Sequence, residues 1–163
     1  MKLFMFFVAL AAPFVVVTAQ ESVEPNRTQI FSAEDLIRLE ATLIEESHAA
    51  ESKLGRKDLM ATSIHRFGLR HRSGPAPAEQ HADVTDLIIV RSGGAAIRIG
   101  GEIAAPRGAD GELRGGSIVG GQTYPARPGD MFNVPPHVAH QWIIEPGESI
   151  SFLNIKVKEK PGS

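Results

Sequence analysis

Two hydrophobic periodicities divide the chain. Leu36, Leu39 and Leu43, with Ile37 and Ile44, recur at three- and four-residue spacing. That pattern predicts one amphipathic helix from about Ala33 to Glu51. Ser32 supplies its N-cap, and Glu34 and Asp35 place negative charge in the first turn, where the helix dipole favours it. The apolar stripe is expected to pack outside a β body or in a dimer contact, with His48 solvated near the helix end. Beyond it the apolar residues come in short runs bounded by Gly and Pro. These predict strands at Thr62 to Leu69, Asp86 to Val90, Ala95 to Ile99, Met131 to Val134 and Ile150 to Val157. Gly55 with Arg56-Lys57-Asp58 reads as a loop, and Arg91-Ser92-Gly93-Gly94 as a hairpin turn. The segment Gly100 to Pro128 reads as an extended hairpin, partly strand over Glu112 to Val119, covering the mouth of the body. The layout expected is a leader at 20–31, a helix region at 32–54, a β domain at 62–158 and a tail at 159–163.

The N-terminus follows neither period. Lys2 precedes an almost wholly apolar run from Leu3 to Val17, and Val17-Thr18-Ala19 offers small residues for cleavage. This is the pattern of a secretory signal peptide over 1–19, and about fifteen apolar residues fall short of the ~20 that span a bilayer. The expected location is therefore secreted or periplasmic, with no membrane attachment after cleavage. No cysteine is present, so export brings no disulfide. Asn26-Arg27-Thr28 fits the N-glycosylation pattern, a three-residue match that arises readily by chance.

With 163 residues the chain is one domain by size. Its 16 Gly and 11 Pro, concentrated after Gly74, favour an all-β body with many turns. Charge is nearly balanced, 17 basic against 19 acidic residues without a long basic run, so nucleic acid is not an expected partner. The Gly pairs are not followed by GK[ST] and do not form a phosphate loop.

The chemistry-bearing residues fall in two stretches, Gly74 to Gly93 and Pro128 to Trp142. Glu79 and His81 are two apart and share one face of an extended strand. Asp86 follows, and His140 comes from the second stretch. Two imidazoles and two carboxylates meeting at one point would suit a divalent metal, Mn or Fe ahead of Ni or Zn. Trp142 shares His140's face, as pocket wall or as core. His71 is a candidate substrate contact or catalytic group, or else an exposed residue at a strand end. Arg107 and Arg114 are candidates for holding an anion, or solvated surface charges.

The spacings resemble the two signatures of the cupin family. The first is Gly, five residues, His-x-His, three or four residues, Glu, six residues, Gly. It is matched by Gly74, Glu79-Gln80-His81, Asp86 and Gly93, with four residues in place of the first five. The second is Gly, five residues, Pro-x-Gly, two residues, His, three residues, Asn. It is matched by Gly129, Pro135-Pro136-His137, His140 and Ile144. Glu79 thus stands where the resemblance puts a His, Asp86 where it puts a Glu, His137 for Gly and Ile144 for Asn. The resemblance covers roughly Phe67 to Val157 and implies an all-β cupin-type barrel, a double-stranded β-helix or jelly roll, behind one N-terminal helix. It implies Glu79, His81, Asp86 and His140 as metal ligands, with Asp86 the fourth ligand or a base. It also implies a homodimer and a small-molecule ligand or substrate. The chemistry would be of oxygenase, isomerase or lyase type, and the alternative is a cupin that binds a ligand or metal without catalysis.

Overall fold

The computed structural model describes residues 28–159. The predicted signal peptide, most of the leader with Asn26, and residues 160–163 lie outside that range. Among the described residues no helix is long and apolar enough to cross a membrane.

The helix α1 spans Ala33–Ala49. It opens with a capping box: Ser32 Oγ accepts from the Asp35 N–H at 3.1 Å, and the Asp35 carboxylate accepts from the Ser32 N–H at 3.1 Å. The helix packs on the outer face of β1 (Leu54–Ala61) and β2 (His65–Arg72). Leu43 is buried there, and its carbonyl lies so near Gly55 that a Cβ at that position would stand 2.1 Å from the oxygen. Glycine is what lets the helix sit this close to the strand. Glu40, one turn before Leu43 on the same buried face, fastens α1, accepting from Arg91 Nε at 3.3 Å and from the Ser92 hydroxyl. Burial pushes its carboxyl up, but the hydrogen bonds of Ser92, Ser151 and Arg91 outweigh burial and hold it below the usual range.

Gly55 to Asp58 is therefore strand, not the predicted loop. Its charges mislead because they sit on a half-wet face: Arg56 and Asp58 border a cavity, while Gly55 faces the helix.

The remaining strands are β3 (Ala78–Gln80), β4 (Val84–Ile99), β5 (Glu102–Ile103), β6 (Arg107–Ala109), β7 (Glu112–Gly115), β8 (Ile118–Val119), β9 (Gln122–Ala126), β10 (Met131–Val134), β11 (His140–Ile143) and β12 (Ser149–Lys158). One ten-stranded sheet runs β1-β2-β12-β4-β11-β3-β7-β6, with β9 and β10 also on β4, and β5 pairs β8 separately. All these pairings are antiparallel, and the architecture is a cupin-type β-barrel with an N-terminal helix.

The hairpin expected at Arg91–Gly94 is replaced by one continuous strand of 16 residues, β4. Gly93 takes φ 74°, and the register against β12 slips between Ser151 and Phe152, so the strand bends rather than reverses. Its first half pairs β10 and its second half pairs β9 and β11, which carries the chain from one part of the barrel to the other. A core of Ile88, Val90, Ile97, Trp142, Ile150 and Phe152 fills the interior beside that bend.

His71 also needs correction as a substrate contact. Strand alternation sends Arg70 and Arg72 to the cavity and His71 to the opposite face, under α1, where Nδ1 is 2.7 Å from Ser151 Oγ and Nε2 is buried without a partner. Burial pulls this imidazole below its ordinary value; Glu40 opposes the shift and His48 adds to it. As pH falls through ~6.5, the unfolded chain takes up this proton before the folded one does. Stability should therefore fall with acidification until the folded-state value is passed. Urea unfolding of His71→Gln against wild type, between about pH 7.5 and 5, should show a flatter pH dependence in the variant. Parallel curves would remove His71 from the account.

Candidate metal and ligand site

The register sets up the site. Glu79 on β3 stands directly opposite His140 on β11 and opposite Arg114 on β7, so three functional side chains lie in one row across three strands. On the neighbouring strands Asp86 of β4 stands opposite Lys156 of β12. His81 lies one residue past β3 and is fixed from two sides. Its carbonyl accepts from the His137 N–H at 2.8 Å, and the Glu112 carboxylate takes both its Nδ1 (2.8 Å) and the Ala82 N–H (3.2 Å). His137 itself adopts φ 62°, the left-handed conformation that a glycine would hold at less cost in the turn before β11.

Glu79, His81 and His140 each present a donor atom within 4.8 Å of the others'. The two rings are 5.5 Å apart between centroids, and Asp86 Oδ2 lies between them, 3.4 Å from His81 Nε2 and 3.3 Å from His140 Nε2. Lys156 completes the cluster: its Nζ is 2.7 Å from His81 Nε2 and 2.8 and 2.9 Å from the two Asp86 oxygens. Two donors cannot face each other at that distance. The proton at this contact sits on one partner: either Lys156 donates to the His81 Nε2 lone pair, or His81 is protonated there and bonds Asp86, while Nδ1 donates to Glu112 in both.

Burial pulls the His81 imidazole down, but hydrogen bonding to Asp86 and Glu112 outweighs burial and the Lys156 charge, and the net shift is upward. For Asp86, burial pushes the carboxyl up. The bonds from His140 and His81 and the Lys156 ammonium overcome that and hold it far below the usual carboxylate range.

The donor set fits a divalent ion at three of the four predicted positions. Glu79 brings a carboxylate and His81 an Nε2 lone pair backed by Glu112, the outward partner that metal-bound imidazoles take. His140 Nε2 donates to Asp86 at 3.3 Å and would become a ligand once its proton moves to Nδ1, which faces the Val138 carbonyl at 3.4 Å. Asp86, the fourth, lies 3.4 and 3.3 Å from the two Nε2 atoms, but both its oxygens are engaged by Lys156, and a carboxyl held so acidic makes a poor base. An ion drawing on His81 Nε2 also requires the Lys156 ammonium to withdraw from that nitrogen.

These residues line a cavity of about 270 Å³, just under the ~300–1,000 Å³ usual for small-molecule sites. Trp142 is both wall and core, lining the cavity while packing on Phe152 at 4.8 Å between centroids. The β6–β7 hairpin contributes Glu112 and Arg114 to the lining, and Arg114 bonds the Glu79 carboxylate at 2.5 Å. Arg107, on the same hairpin, does not line the cavity.

Lys156, Glu112 and Arg72 are the site residues that sequence reasoning missed. For Lys156 a signal existed. Phe152, Asn154 and Lys156 alternate along β12 and share the inward face. A lysine on the face that carries a core phenylalanine is out of place on a plain surface strand.

No family model and no curated protein sequence matches the chain. Solved structures do. An uncharacterized conserved protein with a double-stranded β-helix domain from Klebsiella pneumoniae is 16% identical, over 83% of this chain and 95% of that one, with a TM-score of 0.54. The cupin domain of Cnp3 from Schizosaccharomyces pombe is 9% identical over 67% of each chain, TM-score 0.50. The polyketide cyclase RemF from Streptomyces resistomycificus is 16% identical over 69% of each, TM-score 0.48. The fold is the double-stranded β-helix, or cupin-type barrel, that these structures have.

Proposed function

We propose that this protein is a cupin that binds a small organic molecule beside a divalent metal held by Glu79, His81 and His140. The observation that carries the reading is the approach of these three donors to within 4.8 Å of one another, with His81 backed by Glu112. A carboxylate and two imidazoles without sulfur favour Mn or Fe over structural Zn. Such an ion supplies Lewis-acid or redox chemistry, which suits an oxygenase, isomerase or lyase. The chain's own residues give the ligand an apolar surface at Trp142 and Phe152, and the β6–β7 hairpin adds Glu112 and Arg114 to the lining. A secreted or periplasmic location is part of the proposal, supported by the apolar run Leu3 to Val17. So is a homodimer, for which exposed Ile37 on α1 offers an apolar contact.

Metal analysis of protein purified from its native compartment tests the reading. About one ion per chain is expected, lost on His140→Ala with the circular dichroism spectrum retained, because a three-residue set cannot spare an imidazole. Wild-type protein that takes up no Mn, Fe, Ni or Zn even on reconstitution would end it.

A second reading is favoured by Lys156. Its ammonium already bonds His81 and Asp86, which suits a cupin that binds its ligand without catalysis, with lysine as the resident cation. Turnover across a panel of diketones, hydroxy acids and sugars, with and without oxygen, separates the two.

A further inference from the structure

The cavity holds more positive charge than its own carboxylates satisfy. Each of its four carboxylates is engaged: Asp86 by Lys156, Glu79 by Arg114, Asp58 by Arg70 and Glu112 by His81. Three lining guanidinium groups remain, Arg56, Arg66 and Arg72, none with a carboxylate within 4.0 Å among the described residues. Arg56 and Arg66 are exposed, and water accounts for them.

Arg72 is different. It is 5% exposed, and its Nη1 is wholly buried with no hydrogen-bond partner. Burial lowers its pKa, while Glu79, too distant for an ion pair, draws it up. Arginine stays charged in proteins, so the chain buries a cation and leaves it incompletely paired. Buried polar groups are nearly always satisfied, and an exception of this kind in a ligand cavity points to a partner that arrives from outside. The lining beside it is apolar, built from Trp142, Phe152, Ile88 and Ala76, with Phe152 on the strand next to that of Arg72.

We propose that the cavity takes a small organic acid whose carboxylate is received by the Arg72 guanidinium and whose apolar body lies against Trp142 and Phe152. This rests on the ligand-cavity reading above and names the substrate class. A planar fork of N–H donors matches the two oxygens of a carboxylate, and exclusion of water strengthens the contact. Exposed Arg56 and Arg66 near the mouth would steer the anion inward without holding it.

Trp142 is the sole tryptophan of the chain and lines the cavity, so its fluorescence reports binding directly. The probes are cyclohexanecarboxylate, its uncharged counterpart cyclohexylmethanol, and inorganic phosphate, titrated into protein as purified and after metal removal. The acid should bind saturably, at least ~10-fold more tightly than the alcohol. Arg72→Met should abolish that preference, whereas Arg56→Met should change it by less than ~3-fold, as for a solvated charge. Without ligand, Arg72→Met should unfold at a temperature equal to or above wild type, since it removes an unpaired buried charge; a purely structural arginine would give a lower one. Arg72→Lys, which keeps charge without the fork, should bind the acid with intermediate affinity and serves if the methionine variant does not fold.

Equal binding of acid and alcohol, no binding of either, or a preference that survives Arg72→Met would overturn the proposal. Phosphate binding as tightly as the acid would overturn its organic part. The metal reading fails separately. Arg72→Met should keep its ion, and His140→Ala should keep the preference for the acid.

Discussion

Lys156→Met should destabilise the protein by about 3–5 kcal/mol, the usual cost of removing one partner from a buried ion pair. The Asp86 side chain is 4% exposed and that of Lys156 18%, so solvent does little to replace the lost partner. Both Asp86 oxygens would lose the ammonium at once, leaving only the imidazole contacts at Oδ2. Urea unfolding followed by circular dichroism measures the loss, and adding Asp86→Leu should restore part of it, because the double variant leaves no uncompensated charge. The same change should raise affinity for Mn, because His81 Nε2 no longer accepts from an ammonium. A variant as stable as wild type would mean that the pair is not formed in solution. One that is destabilised but binds metal no better would mean that Lys156 does not compete for the site.

Trp142→Ala should cost about 3–5 kcal/mol, as large aromatic truncations in cores do. The indole is 6% exposed and packs on Phe152 at 4.8 Å and Phe132 at 6.5 Å between centroids. Because Trp142 also lines the cavity, the truncation should weaken ligand binding together with stability. Trp142→Phe keeps a ring in the cluster and should retain most of both. The check is the unfolding midpoint beside calorimetric affinity for an organic acid. Loss of stability with affinity unchanged would assign Trp142 to the core alone.

The two predictions share a physical cause. Lys156 and Trp142 occupy inward positions of adjoining parts of one barrel, and each serves folding and site together. Asp86 was legible as a site residue but not in its role. The resemblance to cupins implies a metal ligand at this carboxylate, whereas the register with β12 hands it to Lys156, seventy residues away. His71 was misplaced for a related reason. Its chemistry suits a substrate contact, and only the alternation of β2, anchored by Arg72 on the cavity side, shows that it faces α1. The Arg91–Gly94 segment has the residues of a hairpin turn, yet partners on both sides of β4 keep the strand running through it. Turn propensity was outweighed by sheet pairing that no local window contains.

By itself the sequence determined the capped amphipathic helix, the all-β body and the shared face of Glu79 and His81, because helix period, turn residues and strand alternation are written locally, while the resemblance to cupins implied that His140 joins them. Only the tertiary structure decided that Lys156 faces Asp86, that Glu112 backs His81, and that Arg72 is buried without a partner. Those facts depend on strand register and on which face each strand turns inward. Register is fixed by contacts between distant segments, and a slip of one residue would send every one of these side chains to the other side of the sheet.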